Sequence, residues 1–140
     1  MTGATPTRRL RDARISLRRA RALDEEERLG EALALYDGVA ADLEGDPRLP
    51  ARGRLVEALF FKSQALFDRG EADAALALVD RLITRFAAGE PALRRRVMHA
   101  LFVTVFTLYL EHPGRAGTAL ELCAEAVRRL SRSSFVPGIF

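Results

Sequence analysis

Three stretches decide the fold: Glu31-Ala32-Leu33-Ala34-Leu35-Tyr36-Asp37, Ala74-Ala75-Leu76-Ala77-Leu78-Val79-Asp80 and Thr118-Ala119-Leu120-Glu121-Leu122-Cys123-Ala124. The second lies 43 residues after the first, and the third a further 44 on. The segments before them also realign, Ala58-Leu59-Phe60 with Ala100-Leu101-Phe102 at an offset of 42. Self-similarity at near-constant spacing means one supersecondary unit used again and again. These runs are rich in Ala, Leu, Arg and Glu, all strong helix formers. The unit is therefore a helical hairpin, used three times.

Working outward, breakers fall at regular intervals: Gly45-Asp46-Pro47, Pro50, Gly53, Gly70, Gly89, Pro91, Pro113-Gly114 and Gly117. No alternating apolar and polar segment is bounded by turn signals, so no strands are expected. Six helices are predicted, over about Thr7–Ala22, Glu25–Leu43, Ala51–Arg69, Ala74–Ala87, Pro91–Glu111 and Gly117–Leu130. Asp24 with Glu27 reads as a capping box opening the second helix, and Asp73 as the cap of the fourth. Gly70 closes the third, and Pro91 opens the fifth. The fourth carries the apolar stripe Ala75, Leu78, Val79, Leu82, Ile83 and Phe86, spaced for one helix face. The first carries Leu10, Ala13, Leu17 and Ala20. Residues 1–6 read as a flexible start, 7–131 as the repeat domain and 132–140 as an apolar tail.

The pattern resembles the tetratricopeptide repeat (TPR) family, in a long bacterial-type form, over about residues 8–130. Gly70 and Gly114 stand at the family's turn glycine. Ser63 and Thr107 stand at the small residue of the preceding helix. Ala32, Ala75 and Ala119 match its close-approach alanine, and Tyr36, Val79 and Cys123 fall four on. There are departures. The repeat is about 43 residues rather than ~34, a length that HEAT-like pairs share. Glu27 takes the place of the first turn glycine, and Lys62 stands where the family has Leu. The resemblance implies an all-α, right-handed TPR-like α-solenoid of about three hairpins. It also implies a concave groove, lined by first helices, that binds peptides.

Composition narrows the function classes. The 140 residues fit one domain, with 49% hydrophobic and 29% charged residues. Arginine outnumbers lysine 21 to 1, and asparagine is absent. The lone Cys123 excludes an internal disulfide and a multi-cysteine metal cage. It falls at a repeat packing position, so a buried structural thiol is expected. His99 and His112 have no carboxylate or thiol spaced around them for a metal, and His99 is expected in the core or groove. No nucleophile, P-loop or dinucleotide motif is present. No enzyme activity, no cofactor and no metal are expected. The start, MTGATPTRRLRDAR, has no apolar h-region, and no run reaches the ~20 apolar residues of a membrane span. A cytoplasmic protein without membrane contact is the expectation.

The net charge of +3 hides an asymmetry. Residues 1–21 carry seven arginines against Asp12 alone, and the rest of the chain is net acidic. Basic residues also recur at the start of each hairpin: Arg9 and Arg11, Arg52 and Arg54, then Arg94, Arg95 and Arg96. In a stacked solenoid, equivalent positions line one edge. These arginines are expected to form a basic strip that meets an acidic partner or phosphates.

The expected partner-binding groove is apolar, from Leu59, Phe60, Lys62, Ser63, Leu66 and Phe67 on the third helix to Phe102, Val103, Phe106 and Tyr109 on the fifth. The stretch Val97–Leu110, 11 of 14 residues apolar, is expected to be covered on nearly every side. The tail, with Phe135, Val136, Ile139 and Phe140, would cap the last hairpin, dock on another protein or protomer, or fray. The function these features imply is protein–protein interaction, as an adaptor or a small subunit of an assembly. Two alternatives stay open: nucleic-acid binding through the Arg-rich first helix, and a homodimer or larger homo-oligomer joined by the apolar helix.

Overall fold

A computed structural model of the chain describes residues 5–86 and 89–134. Six α-helices follow one another: α1 (Pro6–Glu25), α2 (Leu29–Leu43), α3 (Leu49–Asp68), α4 (Ala72–Phe86), α5 (Pro91–Glu111) and α6 (Ala116–Ser134). A single 3-10 turn, Pro113–Arg115, precedes α6. No strand occurs among the described residues. The apolar tail, Phe135, Val136, Ile139 and Phe140 included, lies outside them.

Local chemistry starts and stops these helices. The Arg8 amide donates to the Thr5 hydroxyl at 3.1 Å, capping α1 ahead of Pro6. Before α3, the Asp46 carboxylate accepts from the Arg48 amide at 3.0 Å and from the Arg48 guanidinium at 2.6 Å. That pairing holds the Asp46 carboxyl down at about 2; the Arg48 side chain is the main cause, its amide and the more distant Arg9 adding to it.

The acidic run between α1 and α2 corrects the sequence reading. Asp24 is no N-cap: it sits in the last turn of α1, and α2 starts at Leu29 after Arg28. Leu23 is buried on the stripe that holds Ala13, Leu17 and Ala20, which carries the helix one turn further. Glu27 makes no capping box either; it takes φ 62° in the turn. Asp73 likewise lies inside the first turn of α4, not at its cap.

The chain divides within α4 into two compact units, Met1–Leu78 and Val79–Phe140. In the first, α2 packs against both α1 and α3, and α1 meets α3 more lightly. In the second, α5 packs on α6, and both touch the 3-10 turn.

Burial repeats with the sequence. Ala32, Tyr36, Val39 and Leu43 are buried, as are Ala75, Val79, Leu82 and Phe86, each 43 residues on. Ala119 and Ala126 continue the row, while Cys123 is half-buried. On the first helices, Ala51, Leu55, Ala58 and Leu66 are buried and so are Leu93, Val97, Ala100 and Leu108, at an offset of 42. The expected α4 stripe is buried throughout.

Two buried hydroxyls satisfy themselves within their helices. Ser63 donates to the Phe60 carbonyl at 2.6 Å, and Thr104 to the Ala100 carbonyl at 2.8 Å. The expectation of all-round cover fails for α5. It buries Val97, Ala100, Leu101 and Leu108, but leaves Phe102, Phe106, Tyr109 and Leu110 exposed. The exposed residues lie on the side turned away from that buried row.

Candidate functional site: an arginine-lined cleft between two helices

The first unit carries a cleft between α1 and α3. Its origin is the helical register of α1. Ala13, Leu17 and Ala20 form the buried row. The neighbouring row, at spacings of three and four, is Arg11, Arg14, Arg18 and Arg21, all exposed. A row at this spacing stays on one side of a helix for its whole length. From α3, Pro50, Arg54, Glu57 and Phe61 follow the same spacing. Two adjoining hollows, of about 530 and 320 Å3, lie between the rows and share Arg14 and Arg54 as walls. Leu17 and Phe61 give the larger hollow an apolar floor, and Leu10 and Pro50 line the smaller.

The arginines differ in what they already hold. Arg54 donates to both carboxylate oxygens of Glu57, at 2.9 and 2.8 Å, and is neutralised there. The Arg21 guanidinium carbon sits 4.4 Å from the centre of the Phe61 ring, a cation–π contact. Phe61 in turn stacks on Tyr36, centroids 6.3 Å apart and planes 22° from parallel. Arg11, Arg14 and Arg18 make no ion pair with any described residue. The cleft therefore presents free guanidinium groups beside an apolar floor.

Charge changes sign at the far end. Glu25 lines the cleft, and Asp24 beside it hydrogen-bonds to Asp68 of α3. Burial pushes the Asp24 carboxyl up to about 6; the hydrogen bond and like charge of Asp68 and the charge of Glu25 push the same way, against Arg21. The Asp24 carboxyl therefore keeps its proton into mildly acidic pH. The Tyr36 hydroxyl is buried and has no hydrogen-bond partner among the described residues. Its pKa is raised, by burial first and then by the charge of Asp24.

No protein-family model matches the chain, and comparison with curated proteins and with solved structures finds no match to it.

The structure distributes the sequence-predicted residues differently from the expected groove. Phe60, Ser63, Leu66 and Phe67 are core residues of the first unit, not groove walls. Leu59 is half-buried, and Lys62, also half-buried, reaches Asp37 at 2.7 Å. Phe102, Phe106 and Tyr109, with half-buried Val103, belong to the second unit, where the three aromatics are exposed.

The arginine strip also divides. Arg11 and Arg54 enter the cleft. Arg9 lies 3.9 Å from Asp46, and Arg52 donates to the Glu44 carbonyl at 3.3 Å, both closing the loop before α3. In the second unit Arg94 bonds the Gly89 carbonyl, while Arg95 and Arg96 are exposed. His99, expected in the core or groove, is exposed. Among the described residues no group of three or more His, Cys, Asp or Glu is placed to hold a metal. No described helix is long and apolar enough to cross a membrane.

The cleft residues Arg14, Arg18 and Arg21 were legible only as part of an N-terminal basic cluster. The signal that singles them out is their three–four spacing beside the buried row.

Proposed function

We propose that this chain is a protein–protein interaction module, a cytoplasmic adaptor or small subunit. Its α1–α3 cleft receives an acidic segment of a partner protein. One observation carries the reading: a row of exposed arginines beside an apolar floor, three of them without a counter-ion among the described residues. Guanidinium groups of this kind recruit carboxylates, and the floor supplies the apolar contact that gives an interface its affinity. The hairpins are read as a right-handed TPR-like solenoid. Two features support that reading: equivalent burial at offsets of 42 to 44 residues, and two α-α turns of the same geometry 43 residues apart.

Phosphates would also suit the arginine row. Glu25 and Glu57 within the cleft favour a peptide over a polynucleotide, whose backbone offers only negative charge. Titration of a poly-glutamate peptide into the 15N-labelled chain tests the proposal. The expected result is chemical-shift change confined to Arg14, Arg18, Arg21 and Phe61, weakening as salt rises. Changes elsewhere, or none, overturn it. Tighter binding of a single-stranded RNA in the same cleft would transfer the site to nucleic acid.

A further inference from the structure

Helix α1 carries its charges against its own dipole. An α-helix is partially positive at its N-terminus and partially negative at its C-terminus, so anions suit the start and cations the end. Here the start and middle hold the arginines, and the end holds Asp24 and Glu25. The first turn has no acidic residue and the last turn no basic one. Taken alone, this order disfavours the helix. It is the complement of an ordinary helix, which carries acidic residues early and basic residues late.

The spacing of the row also selects the conformation of its occupant. Arg11 to Arg21 spans about 15 Å at the helical rise of ~1.5 Å per residue, with steps of about 4.5–6 Å. A second helix laid in the cleft presents side chains from one row at the same steps. An extended strand presents same-side residues about 6.7 Å apart and falls out of step after two contacts.

We infer that the partner element is an amphipathic α-helix that lies in the cleft parallel to α1, with an acidic three–four row over its N-terminal half and a basic residue in its last turn. The inference rests on the acidic-partner reading above. The acidic row meets Arg11, Arg14, Arg18 and Arg21, and its apolar flank covers the half-buried Phe61. The basic residue meets Glu25 at the acidic end of α1. Parallel alignment is the only direction in which the partner's charges agree both with the cleft and with its own dipole.

Two synthetic helical peptides of identical composition test this. One carries four Glu in a three–four row followed by Lys in the last turn; the other has the same charges in reverse order along the same Ala- and Leu-rich background. Both are titrated against the full chain, with nitroxide tags at either peptide end. The forward peptide is expected to bind about tenfold or more tightly than the reverse. A tag at its N-terminus is expected to broaden amide signals around Thr7 and Arg11, and one at its C-terminus those around Glu25. The double variant Arg14→Glu/Arg18→Glu changes only exposed side chains and is expected to abolish the preference. Equal binding by the two peptides, or an inverted tag pattern, overturns the directional assignment and leaves the acidic-partner reading standing. Binding by neither, while poly-glutamate still binds, overturns the helical partner alone. No binding of any of the three overturns both.

Discussion

Glu27 and Gly70, 43 residues apart in sequence, occupy the same step of the same turn. Arg28 donates its amide to the Leu23 carbonyl and Glu71 donates to Leu66, each reaching back five residues. Glu27 donates to Asp24 and Gly70 to Phe67, each reaching back three. Both are Schellman turns, and both put their central residue at positive φ, 62° for Glu27 and 84° for Gly70. Glycine tolerates that conformation; glutamate has a Cβ that crowds the following carbonyl.

The pair predicts opposite outcomes for opposite substitutions. Glu27→Gly is expected to stabilise the chain by about 0.5–1 kcal/mol, because the side chain it removes is exposed. Gly70→Ala is expected to destabilise it by about 1 kcal/mol, although space for a Cβ is open. Urea unfolding midpoints read both. Gly114, at the third turn position of the repeat, takes no positive φ and sits in a 3-10 turn, so Gly114→Ala is expected to cost less than Gly70→Ala.

Asp24 and Asp46 shape stability against pH in opposite directions. The Asp24 pKa is about 6 in the fold, above the ordinary ~3.9, so its contribution is present at low pH and lost as pH rises through about 6. Asp24→Asn keeps a hydrogen-bonding partner for Asp68 without the charge. The variant is expected to be more stable than the parent at pH 7, by about 1 kcal/mol after discounting for solvent screening, and to flatten the fall between pH 4 and 7. The Asp46 pKa of about 2 lies below the ordinary value, so its contribution is present above pH ~4 and lost as pH falls through 2. Asp46→Asn is expected to remove that acid limb. Thermal unfolding across pH for the two variants separates them.

Tyr36 offers a test of the buried hydroxyl. The ring is fully buried and stacks on Phe61, but the hydroxyl has no partner among the described residues. Tyr36→Phe keeps the ring and removes an unsatisfied polar group. It is expected to be neutral or stabilising by up to about 1 kcal/mol. A clear loss of stability would show that a bound water satisfies the hydroxyl.

Arg14→Glu/Arg18→Glu is expected to leave the unfolding midpoint almost unchanged, within about 0.5 kcal/mol per site, since both side chains are exposed. The same variant is expected to lose at least about tenfold in affinity for an acidic peptide and most of its salt dependence. Unchanged affinity would remove the cleft from the interaction.

Neighbours on α5 should behave very differently. Leu108 is fully buried and Phe106 is 64% exposed. Leu108→Ala is expected to cost about 2–5 kcal/mol, and Phe106→Ser less than about 1. Denaturant melts of both variants compare them directly.

Much of the fold was legible because it depends on local chemistry. The six helices follow from apolar periodicity and from breakers such as Gly70 and Pro91, and every residue of the α4 stripe Ala75 to Phe86 is buried as its spacing predicts. The start of α2 is not legible, because Asp24-Glu25-Glu26-Glu27 has the composition of a helix N-terminus. What decides the matter is Leu23, whose burial extends α1 by a turn, and burial is a tertiary property. Which of the expected groove residues are buried is not legible for a related reason. Phe60, Leu66 and Phe67 are as apolar as Phe102 and Phe106, and composition cannot say which set faces inward.

By itself, then, the sequence determined the helical class, the repeat and its burial register, because side-chain periodicity along a helix is set by 3.6 residues per turn whatever packs against it. Only the tertiary structure decided that α3 turns its aromatic residues Phe60 and Phe67 into the core, that Glu27 bends through positive φ, and that the arginine row of α1 faces α3 across an open cleft. Those outcomes depend on which face of each helix finds a neighbour, and a neighbour is supplied by parts of the chain distant in sequence.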